Sequence, residues 1–148
     1  MFTIEKFRER LNEFMVLSEQ NATKLSENVP IDRSTLSKLL RGKHVPSGKS
    51  LFALVTYFNC SADYLLGLTE DYPENKTYPL PTSNFGERFR LMLEETKTSQ
   101  YELTKNEKIS GNLIYRWLHN QTLPNALHLI KLAEYMKTTV DCLIGRDN

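Results

Sequence analysis

The sequence predicts an all-α fold made of two tandem five-helix domains joined by a proline-containing linker. Three observations predict it. First, residues 7–67 lie over residues 85–145 without a gap, 78 residues on. Phe7, Arg10, Leu25, Leu51, Tyr57 and Gly67 fall on Phe85, Arg88, Leu103, Leu129, Tyr135 and Gly145, and a register kept over about 60 residues marks an internal repeat. Second, apolar residues recur at helical spacing in both copies. Third, residues 68–83 hold Pro73, Pro79 and Pro81 with few large aliphatic residues, which reads as an extended linker. The expected organisation is therefore domain 1 over 1–67, a linker over 68–83 and domain 2 over 84–148.

The elements follow in order. Thr3 caps a first helix whose Phe7, Leu11 and Phe14 recur at i, i+4, i+7. A short second helix over residues 22–29 contributes Leu25 and Val29, and Pro30 turns the chain. A third helix from Arg33 to Leu40 turns Leu36, Leu39 and Leu40 inward, and Gly42 ends it in left-handed geometry. The second copy has Asn120 at that place, the next most tolerant residue for that conformation. Pro46 is expected at the first position of a fourth helix, where a missing N–H costs nothing. Ser61 caps a short fifth helix, with Asp63 near its positive end. In the second copy Thr139 replaces Ser61, and Asn84 with Glu87 and Ser99 with Glu102 have capping-box spacing.

Composition narrows the function classes. At 148 residues, each half is just large enough to bury a core. Net charge is +1, from 19 basic and 18 acidic residues, so any basic patch is local. Cys60 and Cys142 occupy non-equivalent positions and the three histidines show no ligand spacing, so reduced core thiols are expected, with no metal and no cofactor. The N-terminus is acidic and amphipathic, and no stretch approaches 18 apolar residues. A cytoplasmic protein is expected. No catalytic constellation or phosphate-binding glycine loop appears, so the chain is not expected to be an enzyme.

The run Ser34-Thr35-Leu36-Ser37-Lys38-Leu39-Leu40-Arg41-Gly42 followed by Pro46, the ending Ser61-Ala62-Asp63-Tyr64-Leu65-Leu66-Gly67, and the Ser99-Gln100-x-Glu102-Leu103 entry in the second copy resemble the Cro/phage-repressor (XRE-type) helix-turn-helix family. The resemblance covers both copies, and so nearly the whole chain outside the linker. It implies two lambda-repressor-like domains and a sequence-specific, double-stranded DNA-binding transcriptional regulator, a repressor. The recognition helices would lie near 33–40 and 111–118. Such a helix enters the major groove while its predecessor crosses the backbone.

By resemblance, Arg33, Ser34, Ser37 and Lys38 read bases in the first copy, while Arg41 and Lys43 face phosphates. In the second copy the matching readers are Gly111, Asn112, Tyr115 and Arg116; Asn112 suits adenine and Arg116 guanine. Gln100 looks like the family's phosphate-contacting glutamine, and Gln121 lies in a stretch whose Asn and Gln residues are base readers or simply a polar surface. Trp117 aligns with Leu39 and is a core residue; Tyr115 points outward, toward a base or a partner. Tyr72 and Tyr78 are expected to pack between domains, and His44 to be exposed.

Departures from the family pattern carry expectations of their own. Ala22 stands where the glutamine belongs. Asp32 faces phosphate unless it caps the third helix. Glu107 stands where the first copy has Val29, so the second copy's second helix should be shorter or less well packed. Residues 33–49 carry five cations and no acid, whereas 111–127 carry only Arg116. The alternative is a protein-interaction module, antitoxin- or antirepressor-like, with self-association or a partner held through domain 2.

Overall fold

The computed structural model describes residues 2–72, 78 and 84–146. The linker prolines Pro73, Pro79 and Pro81 lie outside the described residues. Every regular element among those residues is helical. The chain divides into two compact units, Met1–Tyr78 and Pro79–Asn148.

The first unit holds α1 (Ile4–Leu17), α2 (Ala22–Ser26), α3 (Arg33–Leu40), α4 (Gly48–Phe58) and α5 (Ala62–Leu65). Thr3, Asn21, Asp32, Ser47 and Ser61 each accept, through the side chain, a backbone N–H three residues on. These caps satisfy donors that a helix start leaves without intrahelical partners. Inside, Phe7, Leu11, Leu25, Leu36, Leu51 and Leu54 are fully buried. Each such side chain gains about 1.5–3 kcal/mol on leaving water.

Two boundaries differ from the sequence reading. Helix α2 ends at Ser26, because Pro30 biases its predecessor away from helical geometry and offers no N–H. Helix α4 begins at Gly48, so Pro46 lies in the turn before the cap. Proline has no side-chain acceptor for the orphan N–H groups, and the Ser47 hydroxyl takes that place. The aromatics after Gly67 pack on this unit. Tyr72 meets Tyr64 edge-on at 4.9 Å and Phe14 at 6.1 Å. Tyr78 is buried, and its N–H donates to Asn59 Oδ1 at 3.3 Å.

The second unit holds α6 (Phe85–Glu95), α7 (Gln100–Glu107), α8 (Gly111–Leu118), α9 (Ala126–Tyr135) and α10 (Val140–Leu143). Ser99 and Glu102 form the reciprocal capping box, while Asn84 accepts the Glu87 N–H at 2.9 Å. The core centres on Phe89, Leu103, Ile114, Trp117 and Leu129. Trp117 is 1% exposed and edge-on to Phe89 at 6.2 Å.

Helix α7 is the correction in this unit. It runs eight residues, against five in α2, so of the two expectations, shorter or less well packed, the first fails; Leu103 is the one buried residue of the helix. Lys108 stands where the first unit has Pro30. Without a proline there the helix continues to Glu107 and closes on Lys108 in left-handed geometry, φ 57°. The other left-handed positions recur at the 78-residue offset: Glu19 with Lys97, Gly42 with Asn120, Asn59 with Lys137, and Gly67 with Gly145.

Candidate nucleic-acid interface

At 100° per residue, Arg33, Ser34, Ser37, Lys38 and Arg41 fall within an arc of about 140° around α3. Leu36 and Leu39 occupy the opposite side and are buried. Arg33, Ser34, Lys38, Arg41 and Lys43 are exposed, and Ser37 is half-buried. The eight residues of α3 span about 12 Å, short enough to lie in a groove.

The end of α3 aims the last two cations. Lys43 N–H donates to Lys38 O at 2.9 Å and Gly42 N–H to Leu39 O at 3.1 Å. These are the two bonds of a Schellman closure, which needs the left-handed residue that Gly42 supplies at φ 70°. Arg41 and Lys43 therefore flank a fixed turn. Arg41 Nε also donates to Ser37 O at 3.3 Å, which holds the guanidinium along its own helix.

Asp32, the residue before α3, caps that helix. Its Oδ1 accepts the Thr35 N–H at 2.6 Å. Hydrogen bonding from Thr35, side chain first and backbone second, with Lys38 nearby, holds the carboxyl below its ordinary range. Ala22, where a glutamine was looked for, opens α2 and carries no polar group.

On the second unit, Asn112, Tyr115 and Arg116 share the equivalent arc of α8 and are exposed. Gly111 opens that helix with no side chain to offer. Gln121 follows a closure built like that of α3: Gln121 N–H to Arg116 O at 2.8 Å and Asn120 N–H to Trp117 O at 3.2 Å. Gln100 is the exposed first residue of α7.

Two further features mark this face. The Tyr115 ring stacks on His119 at 4.0 Å. Leu127, where the first unit has Lys49, is 48% exposed. Position-by-position comparison of the two copies would have flagged both residues, since each replaces a polar or charged residue of the first copy. His44 is exposed, as expected.

A helix-turn-helix family model matches residues 19–65, from the turn after α1 through α5. That span contains α2, the connecting turn and α3 with its cations. No curated protein matches the chain, and no solved structure matches it. No helix among the described residues is long and apolar enough to cross a membrane.

Proposed function

We propose that this chain is a sequence-specific, double-stranded DNA-binding transcriptional regulator that acts as a repressor by occupying its site, with α3 as the reading helix. The observation that carries the reading is the exposed set Arg33, Lys38, Arg41 and Lys43 on and just beyond α3, within the span that matches the helix-turn-helix family. Arg33 or Lys38 pairs with guanine N7 and O6; Arg41 and Lys43 hold phosphates and set the register. Phosphate contacts release counterions and dominate affinity, so the first unit supplies most of the binding. On this reading the protein works by binding.

For the second unit two readings compete. In one, α8 reads a second, unlike half-site through Asn112 and Arg116, and the single chain acts as a covalent pseudo-dimer with high effective concentration. In the other, this unit holds a protein. Exposed Tyr115 and Leu127, at positions where the first unit has Ser37 and Lys49, favour the second.

Selection of bound fragments from sheared genomic DNA of the source organism tests both. Two unlike half-motifs at fixed spacing assign α8 to DNA. One short motif, or a palindrome of identical halves, assigns reading to α3 alone. No enrichment at moderate salt contradicts the DNA-binding reading.

A further inference from the structure

Compared at the 78-residue offset, the outward face around α8 has lost the chemistry of α3. Thr23, Ser37, Arg41 and Lys49 are replaced by Tyr101, Tyr115, His119 and Leu127. Tyr101 is 71% exposed and Leu123 40%. Isolated exposed apolar residues need no explanation, but large ones on successive elements around one helix suit a surface that binds a partner. The charge of this stretch is positive. Between Lys108 and Lys131 lies Arg116 and no carboxylate.

The first unit carries a surface of complementary character. Glu9, Glu13, Val16 and Leu17 follow one another along one side of α1, at i, i+4, i+7 and i+8. Val16 and Leu17 are each 77% exposed. These four, with Arg8 and Asn12, line a shallow, open groove along the exposed side of α1. The other cations of α1 are engaged: Lys6 with Glu70, Arg8 with Glu5, and Arg10 buried. Glu9 and Glu13 thus give the groove an acidic rim beside exposed aliphatic side chains.

We infer that the α8 face of one copy docks on the α1 groove of a second copy, with Tyr115 and Leu127 against Val16 and Leu17, and Arg116 against Glu9 and Glu13. Opposite charge beside matched apolar surface makes a second copy a fitting occupant. An α8 face pairing with itself would bring Arg116 and Lys108 against their own kind, at a cost. Each copy carries one surface of each kind, and the smallest closed form of such reciprocal pairing is a dimer with two identical contacts. The inference rests on the protein-binding reading of the second unit and leaves DNA reading by α3 untouched. The dimer presents two copies of α3, which suits a palindromic site.

Sedimentation equilibrium of the full chain between about 1 and 100 μM, a range spanning ordinary dimer affinities, tests it, with circular dichroism to verify that each variant is folded. The expected result is a dimer that Tyr115→Glu and Leu17→Lys each weaken at least about tenfold. Arg116→Glu also weakens it, and Glu13→Arg in the same chain restores it. A monomer throughout the range overturns the inference, as does a dimer indifferent to either surface. If Tyr115→Glu lowers duplex affinity with the mass unchanged, α8 is a DNA reader and the docking surface is refuted. Duplex binding by α3 is measured separately on the Leu17→Lys variant, so loss of DNA binding and loss of dimerisation are distinguishable.

Discussion

The guanidinium of Arg88 lies against the carbonyl of Cys142, donating through Nε at 2.9 Å and through Nη2 at 2.7 Å. Arg10, 78 residues earlier, donates to the carbonyl of Tyr64, which stands at the same offset from Cys142. In both units an arginine of the first helix ties down the last helix through its backbone. Arg10 adds the Thr69 carbonyl at 2.6 Å, Glu70 at 3.0 Å, and the face of Tyr64 at 4.0 Å.

Replacing Arg88 with Met should therefore destabilise the second unit by about 1.5–3 kcal/mol, the net worth of a charged hydrogen bond. Trp117, the chain's one tryptophan, is buried in that unit. Its fluorescence during urea unfolding reads the second unit, and the midpoint should fall while the first unit's transition stays in place. An unchanged tryptophan transition would mean that the contact holds nothing together.

Gly86→Ala should act on the same unit by a different route. A Cβ there would approach the Leu118 carbonyl to 2.5 Å, where α6 meets the end of α8, and backbone cannot swing away. Gly86 N–H also donates to Asn120 Oδ1 at 2.9 Å, so the clash disturbs the residue that closes α8. Overpacking of this kind costs about 1–3 kcal/mol, visible as an earlier thermal transition by tryptophan fluorescence.

Asp32 separates stability from binding. Asp32→Asn keeps a good cap while removing a negative charge beside the proposed reading helix, so it should raise duplex affinity with little change in stability. Asp32→Ala should lose the cap and fray α3. The folded carboxyl titrates below its ordinary range, so the cap's contribution is present above the unfolded value of 3.8 and is lost as pH falls through the folded value. Duplex affinity of Asp32→Asn below that of the native chain would contradict this assignment.

His128, tilted over Trp117 at 5.2 Å, gives the second unit a pH dependence. Burial first and Lys131 second push its pKa below the ordinary 6.5. The unfolded chain thus takes up a proton at higher pH than the folded one. The unit should keep full stability above about pH 6.5 and lose it as pH falls through the lower folded value. Urea midpoints read by Trp117 between pH 8 and 5 check this, and His128→Gln should flatten the curve.

The helix starts were legible because caps are side chains with a fixed spacing: Thr3, Ser61 and Ser99 announce themselves. So were the α3 and α8 ends, where Gly42 and Asn120 meet a need for positive φ. Two residues misled. Pro46 suggested a helix start that Ser47 supplies, and Glu107 suggested a shorter α7, which without a proline at 108 runs on through that residue. The arginine ties were invisible for another reason. Arg10 and Arg88 match in the sequence, but their acceptors are carbonyls of Tyr64 and Cys142, and a carbonyl leaves no mark on side-chain identity. For the candidate site, the family resemblance is what assigned the cations of α3 to the outward face, with Leu36 and Leu39 at helical spacing behind them. The stacked Tyr115–His119 pair depends on where a turn of α8 puts two rings, and only coordinates show it.

The most direct test of the account is a salt titration of duplex affinity, run on the selected site or on genomic fragments. The native chain is compared with the Arg41→Glu/Lys43→Glu double variant and with Arg116→Ala. The account predicts a steep fall of log K with log salt in the native chain, by about 0.9 per phosphate contact. The double variant should lose most of the affinity and flatten that slope by about two contacts, while Arg116→Ala changes little. Equal losses in the two variants, or a native affinity indifferent to salt, would contradict it.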